Sequence, residues 1–175
     1  MLTFRRSTEA DADAAAAIAN EGRALLKSRG VDQWQKGTYP SHDLFVQDAK
    51  DGIGYVVCEN DTVAAVCAVT FTDEESYRHL TAGAWLTPDG ARYATIHRSA
   101  VARAMQGRHI AGFLFDSVAE LARANGAVSI RIDTHEQNLA MQGALRRSGF
   151  QKCGDFFIIG GDENGDPRWG YEKLL

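Results

Sequence analysis

The stretch that most constrains the fold of this chain runs from residue 93 to residue 124. Residues 93–101 alternate well enough for a β-strand, with Ile96 and Ala100 apolar among polar neighbours. Further on, apolar side chains recur at helical spacing: Ile110, Phe113, Leu114, Val118 and Leu121. A short turn at residues 106–108 separates the two patterns. The sequence therefore predicts a strand that leads directly into a helix.

That turn suggests an anion site. At the beginning of a helix, unpaired backbone N–H groups coincide with the positive end of the helix dipole, and together they attract anions. Gly107 allows a ligand to approach the backbone, and Arg108 and His109 add positive potential. Phosphate or pyrophosphate is the expected ligand. Taken alone, the pattern also fits an ordinary strand–helix connection in an α/β core.

Composition limits the class of protein. The 175 residues are 45% hydrophobic and 24% charged, which predicts one globular domain over residues 1–175. A net charge of −4 argues against a nucleic-acid partner and favours a cationic or amine partner. No apolar run approaches the ~20 residues of a membrane span, and no signal peptide is evident. The three cysteines match no metal spacing, so we expect reduced thiols, a cytoplasmic location and no metal.

The order of elements predicts the fold class. Strands are expected near residues 2–6, 54–59, 62–72, 93–101, 128–133, 150–159 and 168–174, and helices near 9–27, 42–49, 110–124 and 138–147. Asn60 and Asp61 favour a hairpin between the second and third strands. The order β-α-α-β-β-β-α-β-α-β-β predicts an α/β fold with a mixed sheet, antiparallel at first and with one right-handed parallel crossover. Ligands in such sheets bind at the carboxyl ends of strands.

A second motif follows the fifth predicted strand. Residues 138–150 run from Asn138 to Gly149 and Phe150. Together with the strand, turn and helix described above and the opening strand before a long helix, this segment resembles the GNAT superfamily of N-acetyltransferases. The resemblance spans the whole chain, and the order and spacing of the motifs carry it.

The resemblance implies how acetyl-CoA is bound. Backbone groups of Ala100 and Val101 would bind the pantetheine arm, and Val101 N–H would also polarise the thioester carbonyl. Asn138 would hold the pantetheine or the distal part of the cofactor from the next helix. The pyrophosphate would be bound by the loop made of Gln106, Gly107, Arg108, His109, Ile110 and Ala111.

Two residues depart from the family pattern. His109 stands where the family usually has a small glycine, and it costs strain only if that position needs a positive φ. Leu145 stands where many members have a tyrosine that protonates the departing CoA thiolate. A thiolate of pKa near ~8.5 is a tolerable leaving group that water can protonate, so the expected class is unchanged.

Histidines are the expected general bases for an amine acceptor. His97 lies four residues before Val101, so simple alternation predicts that their side chains share one face of the strand. His135 follows the fifth strand, near the expected pantetheine. Each histidine could equally be hydrogen-bonded into the sheet or loop. Arg98, on the opposite face, is expected to be structural, and Asp133 is expected to orient a neighbouring group such as His135.

Aromatic and acidic residues on irregular segments are candidates for the acceptor site. Trp34 is the expected substrate-binding residue, whereas Tyr77 is expected to cover the core. Glu74 and Glu75 could attract an amine, but a solvated face is the simpler interpretation. Residues 162–173 resemble a calcium loop only superficially, because Pro167 occupies the position that requires glycine.

The expected function is direct transfer of an acetyl group from acetyl-CoA to a primary amine in a ternary complex. The acceptor is a small molecule or a peptide, and the oligomeric state is open, a homodimer being one alternative. A non-catalytic acyl-CoA-binding or regulatory module is the rival interpretation, because Leu145 replaces the usual acid. A dinucleotide enzyme is disfavoured, since no Gly-x-Gly-x-x-Gly follows an early strand.

Overall fold

A single mixed sheet organises the chain in the computed structural model, which describes residues 1–175. Its strands are β1 (Leu2–Arg6), β2 (Gly54–Glu59), β3 (Thr62–Thr70), β4 (Ala82–Gly83), β5 (Tyr93–Val101), β6 (Ser129–Thr134), β7 (Gln151–Phe157) and β8 (Pro167–Leu174). The order across the sheet is β1-β2-β3-β5-β6-β8-β7-β4. All seven predicted strands are present. The eighth, β4, has only two residues and was missed because so short a segment carries no periodicity.

Four helices cover the sheet: α1 (Ala12–Ser28), α2 (His42–Lys50), α3 (Ile110–Ala124) and α4 (Leu139–Arg147). Each matches a predicted helix. A 3-10 turn at Glu75–Arg78 lies in the segment that was expected to be a helical turn or loop. None of the helices combines the length and the apolar character that crossing a bilayer requires.

The strand directions confirm the predicted α/β fold with a mixed sheet. β1, β2, β3 and β5 pair antiparallel, and β2 and β3 form the expected hairpin around Asn60, whose φ is 55°. β5 and β6 are parallel and are connected through α3. β8 then pairs antiparallel with both β6 and β7.

The two faces of the sheet bury separate clusters. The larger cluster packs α3 and α4 against the sheet through residues such as Ile96, Leu114, Val118 and Leu145. The smaller one packs α1 and α2 against the other face through residues such as Ile18 and Phe45. Helices on both faces account for the nearly continuous burial of β2 and β3.

A β-bulge interrupts β5 at its centre. Ala68 pairs with His97 and Val66 pairs with Ala100, so two residues of β5, Arg98 and Ser99, oppose Cys67 alone. Arg98 adopts a positive φ of 42°. The extra residue reverses the alternation of side chains beyond it.

The bulge decides which face each half of β5 presents. Ile96 and Val101 both pack into the α3 cluster, although strict alternation would put them on opposite faces. His97 pairs with Ala68, on the face that carries α1 and α2. The prediction that His97 and Val101 share a face is therefore wrong, because it assumed an unbroken strand.

An ion pair holds the bulge in place. Arg98 donates two hydrogen bonds of 2.7 Å, from Nε and Nη2, to the two carboxylate oxygens of Asp48 on α2. The Asp48 side chain is 4% exposed and that of Arg98 is 12% exposed. Arg98 is thus structural, as expected. A bidentate pair with so little exposure is sensitive to the loss of either partner.

Replacing Asp48 with asparagine should destabilise the protein. Asp48→Asn preserves shape but leaves the Arg98 charge buried without a counter-charge, so the free energy of unfolding should fall by about 3 kcal/mol. Urea denaturation measures this change. The control is Asp43→Asn on the same helix, where the carboxylate is fully exposed and the expected change is below about 0.5 kcal/mol. Equal effects of the two substitutions would contradict the structural role of the pair.

Candidate active site

A cleft opens where β5 and β6 separate. The two strands pair from Tyr93–Ser129 to Ile96–Ile132, and beyond that point β5 continues without β6 beside it. A cavity of about 210 Å³ lies here, at the carboxyl ends of both strands. This is the edge at which the sequence predicted a ligand.

Backbone N–H groups line the β5 side of this cleft. Ala102 N–H donates to the carbonyl of Ala64, which lies towards β3. Because successive N–H groups point to opposite edges of a regular strand, that of Val101 points away from β3 and into the gap. The cavity wall includes Ser99 but not Ala100 or Val101. Ser99 was not predicted, because a backbone donor leaves no trace in side-chain chemistry.

The loop before α3 has the geometry of an anion site. The first helical hydrogen bond runs from Phe113 N–H to the carbonyl of His109. The N–H groups of Ile110, Ala111 and Gly112 therefore have no partner within the helix. α3 is 15 residues long, and its dipole adds positive potential at this end.

The side chains of this loop add less positive potential than its backbone N–H groups do. Gln106, Gly107, Arg108 and His109 are exposed, and Gly107 has a φ of 77°. Arg108 is paired at 2.7 Å with Glu59, at the end of β2, which offsets its charge. His109 has a φ of 61°, so it does occupy the left-handed conformation that favours glycine, at a cost of about 1 kcal/mol.

The residues at the beginning of α4 are engaged by the protein itself. Asn138 caps the helix, because its Oδ1 accepts from Met141 N–H at 3.3 Å, and its Nδ2 donates to Gln33 at 3.1 Å. His135 is buried, and its Nδ1 accepts from Gln137 N–H at 3.1 Å. Neither side chain lines the cavity. For His135, the structure thus shows the loop hydrogen bond that was the alternative to a catalytic role.

An acid–base pair faces the cavity instead. His97 Nε2 lies 3.7 Å from a carboxylate oxygen of Glu74 and 3.2 Å from Thr70 Oγ1. Burial lowers the pKa of His97 to about 3, so the imidazole is neutral near pH 7. Burial, with a further contribution from the charge of Asp133, raises the pKa of Glu74. Glu74 is therefore part of the cavity wall, and the interpretation of this carboxylate as a solvated face is wrong.

A buried network forms the floor beside this pair. Asp133 accepts a hydrogen bond of 2.8 Å from the hydroxyl of Tyr77 and lies 3.6 Å from Arg168 Nε. Arg168 is 2% exposed and lies 2.7 Å from Glu163. Burial raises the pKa of Asp133. The sequence did not indicate Arg168 or Glu163, since nothing local shows that a hairpin loop folds back over β6.

Two loops close the cavity from above. Residues 33–39 carry Trp34, which lines the cavity and packs edge-on against Tyr39. The hairpin loop after β7 holds these residues through three carboxylates: Glu163 accepts from Trp34 N–H at 2.7 Å, Asp162 accepts from Thr38 N–H at 3.0 Å, and Asp166 contacts Lys36. The acidic residues of the calcium-like segment therefore bind a neighbouring loop. No group of three or more acidic, histidine or cysteine side chains is arranged to hold a metal ion.

The charge of the cavity is unbalanced. Four carboxylates line it, on Glu74, Asp133, Asp162 and Glu163, against two guanidinium groups. One of these guanidinium groups, on Arg98, is already neutralised by Asp48. An excess of negative charge in a small cavity favours a cationic ligand.

Comparison with known proteins identifies the family of this chain. The model of the acetyltransferase (GNAT) family matches residues 20–150. A GNAT-family acetyltransferase from Streptococcus agalactiae has 31% identity and a TM-score of 0.85, over 99% of this chain and 95% of that one.

More distant structures share the fold. A GNAT-family acetyltransferase from Listeria monocytogenes has 21% identity and a TM-score of 0.71, over 99% of this chain and 95% of that one. The PaiA N-acetyltransferase of Thermoplasma acidophilum, solved in complex with coenzyme A, has 11% identity and a TM-score of 0.72, over 100% of this chain and 99% of that one. A search of curated proteins finds no significant match. The family match and the Streptococcus relative together show that this chain belongs to the GNAT family of acetyltransferases.

Proposed function

We propose that this acetyltransferase moves the acetyl group of acetyl-CoA to the nitrogen of a primary amine, by direct attack in a ternary complex. One observation carries the proposal. The gap between β5 and β6 opens onto a cavity that contains an acid–base pair, and the anion-binding end of α3 follows β5 by a short loop. An acyl-CoA has a pyrophosphate at one end and a thioester at the other, which suits this arrangement.

The protein backbone supplies the binding groups for the acyl donor. The free N–H groups of Ile110, Ala111 and Gly112 would bind the pyrophosphate. Val101 N–H, directed into the gap, would bind the pantetheine arm. Ser99 lies in the cavity wall, so we assign to its N–H the contact with the thioester carbonyl that the resemblance had suggested for Val101.

Glu74 is the proposed general base, with His97 as its neutral neighbour. The Glu74 carboxylate takes a proton from the ammonium form of the acceptor, and the freed amine attacks the carbonyl carbon of the thioester. A C–N bond forms, Ser99 N–H stabilises the oxyanion, and the C–S bond then breaks to release the CoA thiolate. The attacking nitrogen gives up its second proton to water as the amide forms. Water also supplies the proton that the thiolate takes up, because Leu145 is fully buried and offers none. The proton on Glu74 returns to solvent.

The acceptor is proposed to be a small cationic amine or the amine-bearing end of a peptide. The cavity of about 210 Å³ admits a short chain, and its excess of carboxylates attracts positive charge. Trp34 and Tyr39 offer aromatic surfaces to the methylene groups of such a chain.

Leu145 also favours a second candidate function, a non-catalytic acyl-CoA-binding module. Its side chain is wholly inside the core, so no hydroxyl is available at the position where many relatives carry an acid. The two candidates differ in turnover. Binding of acetyl-CoA without acetylation of any amine in a broad panel would select the binding module.

Calorimetric titration tests the binding of the acyl donor. We expect acetyl-CoA to bind with a 1:1 stoichiometry and NAD, the control, not to bind. Gly112→Asp places a negative charge beside the free N–H groups of α3, in open space, and should weaken acetyl-CoA binding at least tenfold. Gly112→Ala adds a side chain without charge and should leave the affinity within about twofold. No acetyl-CoA binding by the unmodified protein would refute the proposed function.

The pH dependence of kcat tests the base. Glu74→Gln should lower kcat about 100-fold at pH 7, whereas Glu75→Gln, at the exposed neighbouring residue, should not change it. Glu74 acts as its carboxylate, and its pKa is raised, so the kcat of the unmodified protein should fall as the pH decreases through that raised pKa. This acidic limb should be absent in Glu74→Gln. An unchanged kcat in that variant would exclude Glu74 as the base.

Three acceptors of equal chain length test the charge of the cavity. The value of kcat/KM should be highest for 1,4-diaminobutane, about tenfold lower for 1-aminobutane and lowest for 4-aminobutanoate, since the far end of the chain changes from positive to neutral to negative. Asp162→Asn keeps an oxygen that accepts from Thr38 N–H but removes one negative charge from the cavity. The differences in kcat/KM among the three acceptors should therefore become smaller in this variant. The control, Asp116→Asn on the exposed surface of α3, should leave these differences in kcat/KM unchanged. A preference for 4-aminobutanoate would contradict the proposed class of acceptor.

A further inference from the structure

Gln33 is the polar cavity residue whose role the proposed mechanism leaves unexplained. It is 8% exposed and lies in the wall of the cavity. Its Oε1 accepts three hydrogen bonds, from Thr134 Oγ1 at 3.3 Å, from His135 N–H at 3.3 Å and from Asn138 Nδ2 at 3.1 Å. The acceptor end of this amide is therefore fully used by the segment that follows β6.

These contacts fix the orientation of the Gln33 amide. Met141 N–H donates to Asn138 Oδ1, so the Nδ2 of Asn138 must face Gln33. His135 N–H is a donor that cannot be reversed. A flipped Gln33 would set its own N–H₂ group against both donors. Backbone groups at two positions thus determine that Oε1 faces α4 and that Nε2 faces away from it.

The Nε2 atom of Gln33 donates to no protein group. It also remains accessible, and because the residue is almost entirely buried, this access is from the cavity. A buried amide donor without a partner costs about 1–3 kcal/mol unless a ligand or water satisfies it. The three bonds at Oε1 polarise the amide and strengthen its N–H groups as donors.

The chemistry of the cavity indicates which ligand group accepts a hydrogen bond from Gln33 Nε2. The proposed acceptor is an ammonium group, itself a donor of hydrogen bonds, and the carboxylates of the wall match it. The group that brings a hydrogen-bond-accepting oxygen into the cavity is the thioester of the acyl donor. Gln33 is anchored to the carboxyl end of β6, and Ser99 lies on β5, so the two donors approach the gap from opposite sides.

We propose that Gln33 is a catalytic hydrogen-bond donor, whose Nε2–H group binds the thioester carbonyl oxygen from the β6 side of the cleft while Ser99 N–H binds it from the β5 side. This assignment rests on the proposed function, because it requires an acyl donor in the cleft. Negative charge develops on this oxygen when the amine attacks, so the hydrogen bond strengthens in the transition state. No proton is transferred to or from Gln33.

Gln33→Glu distinguishes the role of Oε1 as an acceptor from the role of Nε2 as a donor. The carboxylate still accepts from Thr134, His135 and Asn138, but it adds a fifth negative charge to the cavity wall, so a moderate decrease of the unfolding temperature is expected. The donor is lost, and kcat should fall about 100-fold, the usual effect of removing one such donor. Gln33→Met removes the donor without adding charge, and it also lowers the unfolding temperature, because three buried donors lose their acceptor. Gln137→Glu adds the same charge at an exposed nearby residue and should change neither quantity.

Infrared difference spectroscopy of bound acetyl-CoA, ¹³C-labelled at the acetyl carbonyl, provides a test that does not depend on turnover. Hydrogen bonding lowers the stretching frequency of the carbonyl. We expect a shift to lower frequency on binding to the unmodified protein and to Gln137→Glu, and a smaller shift with both Gln33→Glu and Gln33→Met. An identical carbonyl band in all four proteins would overturn the assignment of Gln33, while binding of acetyl-CoA would leave the proposed function standing. If the unmodified protein does not bind acetyl-CoA, the proposed function itself fails.

Discussion

The bidentate ion pair between Arg98 and Asp48 is the interaction on which the site depends. β5 pairs with β6 as far as Ile96, and the bulge follows immediately, where the cleft opens. The extra residue in β5 requires a positive φ at Arg98, which a non-glycine residue adopts at a cost, and two charge-assisted hydrogen bonds to α2 offset that cost. The bulge therefore links a helix on one face of the sheet to the opening of the site at its edge.

The bulge also determines on which face of the sheet the side chains of β5 lie. Before it, His97 is directed to the side of the cavity where Glu74 lies. After it, Val101 packs towards α3, and the backbone edge of β5 is free to face the gap. Two kinds of group, the imidazole of His97 and the backbone N–H groups, thus meet at one cleft although both belong to one strand.

The proposed acceptor half of the site is built from segments far apart in the chain. The loop after α1 supplies Gln33 and Trp34, and the hairpin loop after β7 holds that loop by carboxylates more than 120 residues away. The loop after α1 is also held by a small apolar cluster of Leu26, Val31 and Trp34 and by hydrogen bonds from Arg23 to its carbonyl groups. The hydrogen bond that Asn138 Nδ2 donates to Gln33 Oε1 then connects the loop after α1 to the beginning of α4.

Local sequence patterns predicted the elements, their order and the geometry of the loop before α3. Periodicity located all four helices and the seven longer strands, and a glycine-containing turn before a helix is a local signature of an anion site. Tertiary structure decided the rest. The face that His97 occupies depends on a one-residue bulge that alternation does not reveal. The partial burial of Glu74 in the cavity wall depends on the packing of the segment after β3. Arg168, Glu163 and Gln33 reach the cavity only because distant loops meet there. Local patterns determine backbone conformation, but the burial and charge that give a side chain its chemistry arise from contacts between segments distant in sequence.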